Sequence, residues 1–146
     1  MEYRFATKDD LPGILTLYKQ LNPDEAIISK ERAEHLWEQI ETNDAIKYFI
    51  ALDNNRIVST CNIAIILNLT RNGRPYGIIE NVITDRTYQR KGIGKQVIQN
   101  AIDYAKKQNC YKILLLSSTK RIDAHNFYES IGFNGDSKRG FEIRFS

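Results

Sequence analysis

The sequence predicts a mixed α/β (α+β) domain. Its central sheet is mixed but mostly antiparallel, with about six to seven strands, and about four helices flank it. The predicted order is βααβββαβαβ. Three observations carry this reading. Residues 48–84 form strand segments divided by turn signals. Residues 93–109 then switch to helical periodicity. An apolar run, Ile113-Leu114-Leu115-Leu116, and one more helical stripe follow.

Residues 3–6 form the first strand candidate. Thr7-Lys8-Asp9-Asp10 resembles a capping box with Asp in the reaching position. Leu11, Ile14, Leu15 and Tyr18 recur at helical spacing, and Asn22-Pro23 ends that helix. Ser29 can cap a second helix, striped by Ala33, Leu36, Trp37 and Ile40, with Glu31, Glu34, Glu38 and Glu41 on its other face. Residues 48–52 form a strand, Asp53-Asn54-Asn55 a turn, and residues 56–69 a long strand. Asn72-Gly73 marks the next hairpin, and residues 76–84 form the third strand of the meander. Ile93, Val97, Ile98, Ala101, Ile102 and Ala105 make the stripe of a helix ending near Asn109. The run at 113–116 reads as a strand covered on both faces, reached by a parallel crossover. Ala124, Phe127, Tyr128 and Ile131 mark a last helix closed by Gly132. Residues 141–145 alternate as a final strand.

The 146 residues fit one domain, taken as 1–146. With 42% hydrophobic and 27% charged residues, the chain is neither disordered nor fibrous. Its longest apolar runs are too short to span a bilayer, and residues 1–5 do not open a signal peptide. Two cysteines, Cys61 and Cys110, imply a reducing compartment, so a cytoplasmic location is expected. Charge is split along the chain. Residues 1–73 hold 8 Lys+Arg against 11 Asp+Glu, while residues 74–146 hold 13 against 7. Such a split suggests two ligands of opposite charge, and chance placement of surface charge produces it as well.

The most informative stretch runs from Asp85 to Lys95, between a strong strand and a strong helix. Gly92 and Gly94 allow close backbone approach. The following helix offers unpaired N–H groups and a positive dipole end. Arg90, Lys91 and Lys95 add cationic charge. Together they describe a phosphate cradle. A P-loop is excluded because Gln89 and Gln96 stand where Gly and Ser/Thr are required. A dinucleotide fingerprint fails at Val97. Taken alone, the glycine pair also suits a tight strand-to-helix turn. No His, Cys or carboxylate spacing suggests a metal site.

Gln89-x-x-Gly92-x-Gly94, preceded by Ile79-Glu80-Asn81-Val82-Ile83, resembles the acetyl-CoA motif of the GNAT superfamily of N-acetyltransferases. Ala124-His125-Asn126-Phe127-Tyr128-Glu129-Ser130-Ile131-Gly132-Phe133 resembles a second block of that family. The resemblance implies acetyl-CoA as co-substrate, without a metal. It implies direct transfer to a primary amine in a ternary complex. Val82 and Ile83 would pair with the pantetheine arm, and Gln89, Arg90, Lys91, Gly92, Ile93, Gly94 and Lys95 would hold the pyrophosphate. A backbone N–H near Val82 would polarise the thioester carbonyl. Tyr128 would protonate the leaving thiolate, a phenol of pKa near ~10 donating to a thiol near ~8.5. Glu80 would act as base, tuned by partial burial in its apolar strand. Arg121 stands where the family usually has Asn, and Arg121 or Lys120 would instead meet the nucleotide phosphates. The family builds its acceptor site from the first two helices, and their acidic character here points to a small cationic amine. A homodimer is implied, and no nucleic-acid or membrane partner. The competing readings are a catalytically silent acyl-CoA sensor, a peptide or protein N-acetyltransferase, and a nucleic-acid module using the basic half. The last expects aromatics interleaved with cations on one exposed face, whereas the basic residues are expected to gather around the glycine loop.

Overall fold

A computed structural model describes residues 1–146. It divides into two compact units, residues 1–114 and 115–146.

In the first unit, β1 (Glu2–Phe5), β2 (Ile46–Asp53), β3 (Arg56–Ile66), β4 (Tyr76–Thr84) and β5 (Ile113–Leu114) form one sheet in sequence order. All neighbours are antiparallel except β4 and β5. Helices α1 (Leu11–Leu21), α2 (Lys30–Glu41) and α3 (Ile93–Lys107) complete it. The 3-10 turn Lys8–Asp10 that leads into α1 opens on a capping box: Thr7 N–H donates to Asp10 Oδ2 at 2.7 Å. Arg4 grips the same carboxylate through two nitrogens at 2.6 and 3.0 Å. Burial opposes ionisation of Asp10, but the hydrogen bonds from Arg4 and Thr7 outweigh it and hold its pKa below the ordinary value. Ser29 caps α2 by accepting from Arg32 N–H at 3.2 Å. The β2–β3 turn runs through Asn54 and Asn55 at φ 49° and 66°, a left-handed pair that Asn tolerates.

Adjacent strand residues face opposite sides, so β2 serves two layers. Ile50 and Leu52 join Ile57, Ile83, Ile14 and Leu17 beneath α1. Phe49 faces the other layer, its ring 6.0 Å from that of Tyr104 on α3. On that side α3 buries Ile93, Val97, Ile98, Ala101 and Ala105. Helix α1 buries Ile14 of the expected stripe together with Leu17, which that stripe leaves out.

Four strand expectations are corrected. The sheet has five strands rather than six or seven. Strand β3 stops at Ile66, where its ladder with β4 ends opposite Tyr76, so residues 67–69 are loop. Strand β5 is two residues long and half-buried, not covered on both faces. In the second unit, α4 (Ile122–Ile131) is the only regular element. Residues 141–145 form no strand, and Phe141, Ile143 and Phe145 stand in solvent.

Candidate active site

Two features of β4 prepare it to meet a ligand. The first is a bulge. Thr60 pairs with Ile83 and Asn62 with Glu80, so Asn81 and Val82 together oppose Cys61. Asn81 sits at φ 53°, in the left-handed region that short amide side chains tolerate. Its amide donates to Asn62 Oδ1 at 3.0 Å across the ladder. A bulge leaves backbone groups outside the regular pairing. The second feature is a free edge. The β4–β5 ladder comprises only Gly77–Ile113 and Ile78–Leu114, so residues 79–84 have no strand partner on that side. Val82 and Ile83 lie on this edge. Glu80 is exposed beside the bulge, so the partial burial expected to tune it is absent.

The loop after β4 is held by one carboxylate. Asp85 is 4% exposed and accepts from Thr87 N–H at 2.9 Å, Thr87 Oγ1 at 2.7 Å, Arg56 Nη2 at 2.7 Å and Gln20 Nε2 at 3.2 Å. The Thr87 hydroxyl contributes most, against desolvation, and the pKa falls to about 2. Gln20 in turn accepts from Arg86 N–H at 3.1 Å, which docks α1 onto the loop. Tyr88 donates to Asp53 Oδ2 at 2.8 Å. Gln89 donates to the Thr84 carbonyl at 3.2 Å. Beyond this clamp the backbone turns left-handed at Arg90 (φ 62°) and Gly92 (φ 79°), and α3 begins at Ile93. Side chains rarely adopt the Gly92 conformation. Space is open where a Cβ there would project. Arg90, Lys91 and Lys95 are exposed, while Ile93 is buried and anchors the helix. The loop is clamped and cationic and ends at the N-terminus of α3, where helix N–H groups are free to meet an anion.

In the second unit, Tyr128 lies half-buried on α4, its ring 5.3 Å from Phe127 and 6.1 Å from Phe133. The Phe133 N–H bonds back to the Tyr128 carbonyl at 3.1 Å while Gly132 takes φ 121°. This closure explains the Tyr-x-x-x-Gly-Phe spacing: only the left-handed Gly lets Phe133 fold back onto the tyrosine. Arg121 is exposed at the start of α4. His125 Nε2–H donates to the Ser118 carbonyl at 2.7 Å, a structural tie rather than a catalytic one.

The whole stretch from residue 13 to 133 matches the acetyltransferase (GNAT) family model. The chain belongs to the GNAT family. It is an N-acetyltransferase, and the family uses acetyl-CoA. The chain is 30% identical over 139 residues to glucosamine 6-phosphate N-acetyltransferase of Trypanosoma brucei brucei, covering 95% of this chain and 92% of that one. Among solved structures, a putative acetyltransferase from Agrobacterium tumefaciens superposes with a TM-score of 0.93 at 38% identity, covering 99% of both chains. Glucosamine-6-phosphate N-acetyltransferase from Arabidopsis thaliana does so at 0.89 and 25%, covering 99% of this chain and 98% of that one.

Within this GNAT domain, the sequence reading missed Asp85, Gln20 and Arg56 as organisers of the donor loop, and Asn62 as the partner of the bulge. Asp85 carried a signal: an Asp two residues before Thr at a strand end is a local turn former. Gln20 and Arg56 carried none, since they act across 65 and 29 residues. Cys61 is buried, which pushes its thiol up to about 12, and Cys110 is half-buried. Between α1 and α2 lies a groove of about 470 Å³ whose charged lining includes Lys8, Lys19 and Lys30 against Asp9 and Glu34. That region is therefore not uniformly acidic.

Proposed function

We propose that this chain transfers the acetyl group of acetyl-CoA directly to the primary amine of a small amino sugar phosphate, both substrates being bound together. The observation that carries the donor half is the clamped loop, with left-handed Arg90 and Gly92 opening the N-terminus of α3. Amides of residues 90–95, with Gln89, Arg90, Lys91 and Lys95, would take the pyrophosphate. Arg121 would add charge toward the nucleotide. The free edge at Val82 and Ile83 would pair with pantetheine, and an N–H at the bulge would polarise the thioester carbonyl. The amine nitrogen attacks that carbonyl carbon, the C–S bond breaks, and the thiolate takes a proton from Tyr128. Glu80, directly or through water, takes the proton that the amine loses.

An amino sugar phosphate is favoured over a purely cationic acceptor for two reasons. Relatives matching over nearly their whole length are named for glucosamine 6-phosphate. Lysines also line the α1–α2 groove. The cationic reading retains one supporting observation, the exposed Glu31, Glu38 and Glu41 on α2. A thiol-release assay with acetyl-CoA separates the two. Glucosamine 6-phosphate is expected to give the highest kcat/KM, and loss of its phosphate to cost about tenfold or more. Preference for spermidine or an aminoglycoside overturns the reading. Binding of acetyl-CoA without turnover across the panel would favour an acyl-CoA sensor.

We also propose a cytoplasmic homodimer. Phe141, Ile143 and Phe145 are 88%, 83% and 97% exposed and alternate as a strand would, so they suit pairing with a second copy. Light scattering is expected to give twice the chain mass, and removal of residues 141–146 to give the single mass.

A further inference from the structure

The tip of the β3–β4 hairpin combines two features that do not belong to the donor site. The first is apolar. Leu67 is 89% exposed and Leu69 100% exposed. The loop that carries them is tied by its own hydrogen bonds. Between them, Asn68 turns inward and donates through Nδ2 to the Thr70 carbonyl at 3.3 Å, the Thr70 hydroxyl at 2.9 Å and the Arg74 carbonyl at 3.1 Å. Arg71, Asn72 and Gly73 follow at φ 54°, 58° and 76°, three left-handed residues in succession. A locally hydrogen-bonded loop thus holds two leucines in water, and exposed apolar side chains next to one another mark interaction sites.

The second feature is charge. Arg71 and Arg74 lie on the hairpin tip, Lys106 and Lys107 end α3 and Lys112 follows it, and residues 66–77 and 106–114 contain no Asp or Glu. None of these five cations forms an ion pair. Contacts join the hairpin to the turn after α3. Arg74 donates to the carbonyls of Asn109 at 3.2 Å and Cys110 at 3.0 Å. Arg71 lies 5.3 Å from the Tyr111 ring, and Lys112 lies 5.1 Å from Tyr111 and 5.5 Å from Tyr76. This surface is at the opposite end of α3 from the glycine loop, roughly 20 Å away along the helix. It also corrects the expectation that the basic residues gather around that loop.

We propose that this end of the molecule docks on an anionic lipid surface. Leu67 and Leu69 enter the interface, the five cations meet the headgroups, and Tyr76 and Tyr111 sit at headgroup level. Nucleic acid has no use for two projecting leucines, and the tyrosine rings lie beneath cations rather than open for base stacking. A second copy presenting the same acid-free face would be repelled. No helix of the chain is long and apolar enough to cross a membrane, so the contact is peripheral.

The test sediments the full chain with phosphatidylcholine vesicles, with and without phosphatidylserine. Binding is expected only with phosphatidylserine, and is expected to fall as salt rises. Leu67→Ser with Leu69→Ser is expected to reduce partitioning by about tenfold or more. Arg71→Glu with Lys107→Glu is expected to reduce it by a similar factor. Both leucines are solvent-exposed, so the double variant retains the far-UV spectrum and acetyltransferase activity in solution. Independently, Leu69→Trp is expected to shift its emission to the blue when phosphatidylserine vesicles are added. Three results overturn the proposal: no binding to anionic vesicles, displacement from them by a single-stranded oligonucleotide with the leucine variant unaffected, or a change of mass in solution on replacing the leucines.

Discussion

Tyr128→Phe is expected to lower kcat by about 10²–10⁴-fold, the range for a lost general acid, while leaving the KM for acetyl-CoA nearly unchanged. The substitution removes one oxygen and keeps the ring, so the contacts with Phe127 and Phe133 and the closure at Gly132 persist. Stability should therefore move little, and a lower rate cannot be attributed to a loosened α4. Loss of an acid is expected to show on the alkaline side of the pH–rate profile. The base is read on the other side: Glu80→Gln should remove the acidic limb. Glu80 is exposed rather than set in an apolar pocket. An unchanged kcat in Tyr128→Phe would return the tyrosine to a packing role on the α4 stripe. An unchanged profile in Glu80→Gln would leave proton removal to solvent.

What the sequence disclosed and what it concealed follow a physical division. Short-range features were legible. The Thr7–Asp10 box, the Ser29 cap, the Asn54-Asn55 turn and the α3 stripe are each set by residues a few positions apart. Gly92 was legible for the same reason, because its φ of 79° is a local demand. The β4 bulge was not, because nothing in Ile79-Glu80-Asn81-Val82 distinguishes it from a regular strand until β3 supplies the register. The end of β3 was misjudged because Leu67 and Leu69 continue the period-two pattern beyond the point where pairing stops. The strand expected at 141–145 has the alternation but no partner strand in this chain. Pattern reports which residues could pair, and pairing itself is a property of two segments.

The carboxylate of Asp85 shows how far a long-range contact can matter. Asp85→Asn is expected to destabilise the fold by about 2–3 kcal/mol, the scale of a charge-assisted hydrogen bond lost with its partners left in place. The amide keeps the shape and one acceptor for Thr87, but it presents N–H groups toward Arg56 and Gln20 where an anion had accepted from both. The loop is then released from α1 and β3, so the KM for acetyl-CoA should rise by about tenfold or more while kcat at saturation changes less. The pH dependence separates charge from shape. In the folded chain the hydrogen bonds from Thr87, with those from Gln20 and the charge of Arg56, hold the carboxyl at about 2, below the ordinary carboxylate range. A depressed folded pKa contributes stability that is complete above the unfolded pKa and is lost as pH falls through the folded one. The charge-dependent share is about 1–2 kcal/mol, allowing for solvent screening around the exposed Arg56. Chemical denaturation from pH 7 to 2 should therefore show a constant gap between wild type and variant above about pH 5, narrowing from pH 4 downward as the wild type protonates. Arg4 holds Asp10 in the same sense, so both proteins lose stability in acid, and only the difference between them reports on Asp85. A gap that stays constant down to pH 2 would show that the carboxylate's charge does not hold the donor loop.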